Sequence, residues 1–131
     1  MSFTNEDLNL IFDRTNGKCH ICHKKLTFSN YGSIAARGAW EGEHSVPRSK
    51  GGTDHLNNLY AACISCNRSK GNKSTKSARA WYGNTSAPPS RERIQEEKQR
   101  DKIFKWVLGL TVIGGFLALL FHKTKSGDKT N

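Results

Sequence analysis

The chain has 131 residues, and its 21 Lys and Arg against 11 Asp and Glu give a formal net charge of +10. This length allows one compact domain with an appendage and excludes a large multidomain enzyme. Only 35% of the residues are hydrophobic, so a core built from them is thin and needs additional support. The excess of positive charge favours an anionic partner, either nucleic acid or a membrane surface.

A helix is the first predicted element. Thr4 and Asp7 have the spacing of a capping box, and apolar residues follow on one face between residues 8 and 12. The Asn-Gly pair at residues 16–17 predicts its end. A tight turn at 18–24 and a loop at 29–38 follow.

Four cysteines occur as two CxxC pairs: Cys19 with Cys22, and Cys63 with Cys66. In a reducing compartment such pairs indicate metal ligation rather than disulfides. Four thiolates complete the tetrahedral coordination of Zn²⁺ and leave no position for water, so the predicted zinc is structural. His20 and His23 lie beside the first pair and are alternative ligands, disfavoured because four cysteines are available.

Two short strands are predicted between the cysteine pairs, at residues 39–44 and 59–62. A polar, turn-rich excursion at residues 47–57 contains Gly51 and Gly52 and connects them. From Asn67 onward the sequence predicts a helix that ends near residues 81–83. The composition of residues 84–90 is that of a linker.

Residues 40–73 also contain several motifs in a fixed order. They are Glu43-His44, Pro47 with a Gly-containing loop to residue 52, Asn58-Leu59, Cys63-x-x-Cys66 and the Asn-Arg-Ser-Lys run at 67–70. Over roughly residues 15–80 the chain resembles the HNH endonuclease family. The resemblance implies a small α+β domain of the ββα-metal type and metal-dependent hydrolysis of phosphodiester bonds.

The resemblance also implies a role for each catalytic residue. His44 matches the general base that activates water, a task for which histidine is suited near neutral pH. Glu43 and Asn67 match the ligands of a catalytic divalent cation, and their oxygen atoms suit Mg²⁺ or Mn²⁺. Asn58 matches an asparagine whose side-chain hydrogen bonds support the connecting loop and keep His44 oriented. Glu43 departs from the more usual Asp, and its extra methylene shifts the carboxylate.

Several cations crowd the same segment and are predicted to contact nucleic-acid phosphates. They are Arg48, Lys50, Arg68, Lys70 and Lys73. No element has the features of a helix that reads the major groove, so little sequence specificity is expected. The predicted substrate is DNA, cut in one strand per site, and the sequence leaves RNA open.

Near the carboxyl end, residues 103–121 are predominantly apolar, and residues 106–121 carry no Asp, Glu, Lys or Arg. As a helix the 19 residues measure roughly 28 Å, about the thickness of a bilayer core. The upstream flank has more cations than the downstream one, and the amino end lacks the pattern of a signal peptide, so the main domain is expected in the cytoplasm. A buried core helix is the alternative, disfavoured because the segment is apolar all round.

The sequence therefore predicts four parts: an HNH nuclease domain at 1–85, a linker and charged juxtamembrane helix at 86–102, one transmembrane helix at 103–121 in the lipid bilayer, and a polar tail at 122–131. The spacing of Gly114 and Ala118 leaves a homodimer open. The predicted protein is a single-pass membrane protein with a cytoplasmic endonuclease domain. The alternatives are a non-catalytic zinc-containing module that binds nucleic acid, and a membrane adaptor whose zinc domain binds a partner protein.

Overall fold

A computed structural model of the chain describes the backbone of residues 3–124 and the side chains of residues 3–109. It divides into two compact units, Met1–Ile94 and Gln95–Asn131. Each unit is described by itself.

The first unit holds a two-stranded sheet and short helices. The helices and strands of the described chain are α1 (Asn5–Asp13), β1 (Trp40–His44), β2 (Leu59–Cys63), α2 (Ile64–Lys70), α3 (Thr75–Ala80) and α4 (Arg91–Thr124). Strands β1 and β2 are antiparallel, with Trp40 opposite Cys63 and His44 opposite Leu59. Two strands with helices confirm the predicted α+β class, and the strands lie within one residue of their predicted positions.

Helix α1 begins at the predicted capping box. The Thr4 hydroxyl accepts a hydrogen bond from the Asp7 amide at 3.1 Å, and the Asp7 carboxylate accepts one from the Thr4 amide at 3.0 Å. Ile11 and Phe12 are the buried residues of this helix. Gly17 follows with φ of 66°, and a Cβ there would lie 2.8 Å from the Phe12 ring. The close approach of the turn to this ring therefore requires glycine.

The core is small and centred on Trp40, which is fully buried. The Phe12 ring lies 5.1 Å from the Trp40 ring, between centroids. The other core residues come from α1, the turn after it, both ends of the sheet and the later helices: Ile11, Cys19, Ile21, Leu26, Leu59, Ala61, Ala62, Cys66 and Ala78. Three of these are alanine, so this core buries little apolar area per residue.

The helix predicted from Asn67 to residues 81–83 is wrong in its start and in its continuity. Helix α2 begins at Ile64, between the two cysteines of the second pair, and ends at Lys70. Gly71 then takes φ of 54°, which breaks the helix, because a left-handed residue cannot continue it. The Ser74 hydroxyl accepts a hydrogen bond from the Ser77 amide at 3.1 Å and starts α3.

Helix α4 continues without a break from the charged residues into the apolar run. Within the described residues, the structure contains no helix that is both long and apolar enough to cross a membrane. Residues 110–121 of the predicted membrane segment, and the tail at 122–131, lie outside the described side chains. The transmembrane helix therefore stays a prediction.

Candidate active site and metal centre

The four cysteines form one cluster, in which the Sγ atoms all lie within 4.8 Å of one another. The Sγ atoms of Cys22 and Cys63 are 3.7 Å apart, close to the edge of about 3.8 Å in a tetrahedron with Zn–S bonds of about 2.3 Å. The two neighbouring histidines bind elsewhere, His20 to Glu43 and His23 to the carbonyl of Ser86. Four soft donors at this spacing fit a structural Zn²⁺.

Electrostatics already favour one thiolate in this cluster. A hydrogen bond from the Cys63 thiol, with further ones from backbone amides, outweighs burial and lowers the pKa of Cys19 to about 5. The same pairing, together with burial, raises the pKa of Cys63. Burial raises the pKa of Cys66 to about 12. Only thiolates ligate zinc, so the remaining thiols must lose their protons on binding. The positive charge of a dication bound between them would favour this ionisation.

The cysteine cluster also connects the elements that carry the site. Cys19 and Cys22 follow α1, Cys63 ends β2, and Cys66 lies in the first turn of α2. Asn67 comes directly after Cys66, so a metal ion bound by the cluster would hold its position. Such an ion would also fix α2 against the sheet.

A cleft of about 270 Å³ lies beside the end of β1 and the end of α2. Its lining residues are His44, Pro47, Arg48, Ser49, Asn67, Lys70, Gly71 and Asn72. The structure thus brings together His44 and Asn67, which are 23 positions apart in the sequence. This cleft is the candidate active site.

His44 has an acidic partner that the sequence analysis missed. The Nε2 atom of His44 lies 2.7 Å from Oδ1 of Asp54, and Arg48 Nε donates to the same oxygen at 2.7 Å. Hydrogen bonds from His44 and Arg48 lower the pKa of Asp54, so its carboxylate is ionised near neutral pH and can accept a hydrogen bond from the Nε2–H group of His44. Asp54 is the only acidic residue between positions 44 and 91, a signal that could have identified it.

Asn58 makes the predicted side-chain hydrogen bonds in the loop between the strands. Its Oδ1 accepts from the Val46 amide at 2.8 Å, and its Nδ2 donates to the carbonyls of Val46 and Thr53 at 2.9 Å each. A Cβ on Gly52 would lie 1.8 Å from the Val46 carbonyl oxygen, so this tight loop requires glycine. Asn58 does not line the cleft; it supports the loop that carries Asp54.

Glu43 lies in a buried network and does not line the cleft, which corrects its predicted placement. Its Oε1 accepts from Lys70 Nζ at 2.8 Å and from the Thr75 hydroxyl at 3.0 Å, and its Oε2 lies 2.9 Å from His20 Nδ1. The side chain is fully buried. Burial alone raises the pKa of Glu43, but the hydrogen bonds from His20 and Lys70 outweigh it and the net pKa is lowered.

The carboxylate beside Asn67 belongs to Glu41. Asn67 Nδ2 donates to Glu41 Oε1 at 3.0 Å. Glu41 precedes Glu43 by two residues, so both start on the same face of β1, and the packing of the helices decides which of them meets Asn67. The structure therefore does not bring together the predicted cation ligands, Glu43 and Asn67.

Lys70 is predicted to contact nucleic acid, but in the structure its side chain is buried. It is 2% exposed, and its Nζ donates to the His44 carbonyl at 2.9 Å as well as to Glu43. A buried ammonium held by two protein acceptors does not reach a phosphate. The other four predicted contacts are exposed at the surface: Arg48, Lys50, Arg68 and Lys73.

The model of the HNH endonuclease family matches residues 19–73. This range contains both cysteine pairs, the cleft residues His44 and Asn67, and the loop that connects the strands. Residues 19–73 are therefore similar to the HNH endonucleases, a class of nucleases that hydrolyse phosphodiester bonds. This match supports the predicted enzyme class.

One relative covers more of the chain than the family model does. Over 95 residues, 72% of this chain, the sequence is 42% identical to the CRISPR-associated endonuclease Cas9 of Corynebacterium diphtheriae. The matched region is 7% of the length of that protein. No solved structure matches the chain.

Proposed function

We propose that this chain is a metal-dependent endonuclease that nicks one strand of DNA per site with little sequence specificity. The observation that carries the proposal is the cleft lined by both His44 and Asn67 inside the segment that matches the HNH endonucleases. The net charge of +10 supports a polyanionic substrate. The relative that matches the chain is by its name an endonuclease.

His44 acts as the general base in this proposal. With Nε2–H donating a hydrogen bond to Asp54, the lone pair of Nδ1 takes the proton of the attacking water. The Asp54 carboxylate keeps the ring oriented and stabilises the imidazolium that forms. Lys70 holds the backbone at His44 through its carbonyl, and Arg48 holds Asp54.

The proposed cofactor is Mg²⁺ or Mn²⁺, which when bound stabilises charge on the phosphate and the leaving oxygen. Asn67 is the predicted ligand that lines the cleft. The pair of Glu43 with Asn67 does not fit as a ligand set, because the Glu43 carboxylate is enclosed by Lys70, His20 and Thr75. The proton transfer is therefore assigned to His44 and its partners alone.

Plasmid nicking by the full chain with Mg²⁺ or Mn²⁺, and with His44→Ala beside it, tests the proposal. We expect a loss of about 100-fold or more in His44→Ala, the range of a removed general base. His55→Ala is the matched control, since this exposed histidine of the same loop does not line the cleft and its variant should nick at the rate of the unchanged chain. A folded, zinc-containing chain that binds DNA but does not cut it, whichever divalent cation is supplied, would instead be the non-catalytic binding module.

We further propose that residues 103–121 anchor the chain in a lipid bilayer, with the nuclease domain on the cytoplasmic side. The support comes from the sequence: residues 106–121 carry no Asp, Glu, Lys or Arg, and cations are more numerous before this run than after it. An anchor of this kind would restrict cutting to nucleic acid close to the membrane.

A further inference from the structure

A second concave surface lies in the first unit, apart from the cleft of His44. It is a groove of about 1000 Å³, here called the basic groove. Three segments line it: the residues after the first cysteine pair (24–27), the loop before β1 (34–39) and the start of α2 with the residue before it (63–68). None of its lining residues lines the cleft.

Cations dominate the charged groups of the basic groove. Its charged lining residues are Lys24, Lys25, Arg37 and Arg68, and no carboxylate is among the lining residues. All four are exposed. Among the residues that the structure describes, Lys24, Lys25 and Arg37 form no ion pair within 4.0 Å, whereas Arg68 lies at that limit from Glu41. Thr27 and Ser65 add hydroxyl donors, so the groove suits a chain of phosphates.

Helix α2 separates the basic groove from the cleft. Asn67 lines the cleft and the next residue, Arg68, lines the groove, as expected for consecutive side chains about 100° apart on a helix. A helix is about 10 Å across with its side chains. A strand of DNA carries one charge per about 3.4 Å of duplex axis, so a strand that enters the cleft reaches the groove within about three or four nucleotides.

We infer that the basic groove binds the phosphodiester backbone of DNA beside the phosphate that is cut. The inference rests on the proposed function, and it adds Lys24, Lys25 and Arg37 to the binding surface, none of which belongs to the motifs of the catalytic segment. The backbone runs from the cleft across α2, past Arg68, into the groove. Because the contacts are to phosphates, this surface adds affinity without sequence preference.

The test compares two triple variants of the full chain that change the charge equally. The groove variant is Lys24→Gln, Lys25→Gln, Arg37→Gln, and the matched control is Lys98→Gln, Arg100→Gln, Lys102→Gln on α4. Binding of a fluorescent DNA duplex is measured in a His44→Ala background, so that the DNA is not cut, between about 50 and 200 mM salt. Zinc content and thermal unfolding are measured for each variant.

For the groove variant we expect an affinity roughly tenfold lower than that of the control, and a slope of log affinity against log salt shallower by about two to three, about 0.9 per lost phosphate contact. With His44 intact, its single-turnover rate at saturating DNA should equal that of the control. Equal affinity and slope in both variants would overturn the inference, and so would a lower saturated rate at unchanged affinity. A chain that binds DNA through the groove but never cuts would refute the proposed function alone, because binding is measured without cleavage.

Discussion

At the scale of single residues, Asp54 orients the ring of His44, the candidate general base. It accepts from both His44 and Arg48 through one oxygen, so the imidazole, the carboxylate and the guanidinium form one chain of hydrogen bonds at the rim of the cleft. A carboxylate on one ring nitrogen fixes the tautomer and leaves the other nitrogen as the base. Asp54 is therefore a positioning residue, since it acts through His44.

Asp54→Asn should lower the single-turnover nicking rate by about tenfold or more, a smaller loss than that of the base itself, with KM for DNA little changed. The amide cannot stabilise an imidazolium, and nitrogen NMR of His44 should show loss of the Nε2–H tautomer. Asp13→Asn is the control, because Asp13 pairs with Arg91 outside the cleft. A variant of Asp54 that nicks at the unchanged rate would contradict this role.

Glu43 and Lys70 make a second prediction at this scale. Glu43→Gln leaves the buried ammonium of Lys70 without its counter-charge, and removal of one partner of a buried pair costs about 3–5 kcal/mol of the free energy of unfolding. Urea unfolding measures this loss in the free energy of unfolding. Glu41→Gln, at a partly exposed position, should cost less than about 1 kcal/mol. Unchanged stability in Glu43→Gln, together with a raised requirement for Mg²⁺, would show instead that Glu43 is the cation ligand predicted from the sequence.

At the scale of elements, none of the pieces of the first unit is stable by itself. Helices α2 and α3 have seven and six residues, shorter than an isolated helix needs, and a sheet of two strands is marginal in water. The cysteine cluster joins the end of β2, the start of α2 and the turn after α1. Metal binding and folding are therefore expected to be coupled.

Removal of zinc by a chelator should unfold the nuclease domain, with loss of helical circular dichroism and of nicking, and Cys66→Ser should behave in the same way. The purified chain should hold one zinc per molecule. His23→Ala should keep its zinc and its thermal midpoint, because His23 contacts a backbone carbonyl and not the cluster. A metal-free chain that retains its unfolding midpoint would contradict the coupling.

At the scale of the whole molecule, the candidate active site and the apolar run belong to different units. Every cleft residue lies within Met1–Ile94, and the apolar run lies within Gln95–Asn131. The core residues also lie within the first unit. Cutting and anchoring are therefore expected to be separable.

A fragment that ends at residue 94 should nick DNA at the rate of the full chain and stay in the supernatant after membranes are sedimented. The full chain should sediment with the membranes and be released by detergent but not by salt, since salt removes only electrostatically bound proteins. Recovery of the full chain in the supernatant would refute the anchor. Inactivity of a folded fragment would show that the second unit contributes to cutting.

Local sequence patterns were sufficient to predict several structural features of this protein. The capping box of Thr4 and Asp7 and the two cysteine pairs were predicted from spacing alone, because each depends on hydrogen bonds or ligand distances within a few residues. The class of enzyme was predicted from the resemblance of the motifs around His44 and Asn67 to the HNH endonuclease family. The break at Gly71 was missed because the helical pattern continues on both sides of it.

Only the tertiary structure determines which of the charged side chains contact each other. Glu41 and Glu43 are equivalent by strand alternation, yet α2 and α3 enclose Glu43 with Lys70 and leave Glu41 beside Asn67. Asp54 meets His44 only because the loop between the strands folds back on β1. Spacing along the chain determines which groups are available, whereas burial and the contacts between distant elements determine which of them are paired, because the energy of a charge depends on its surroundings.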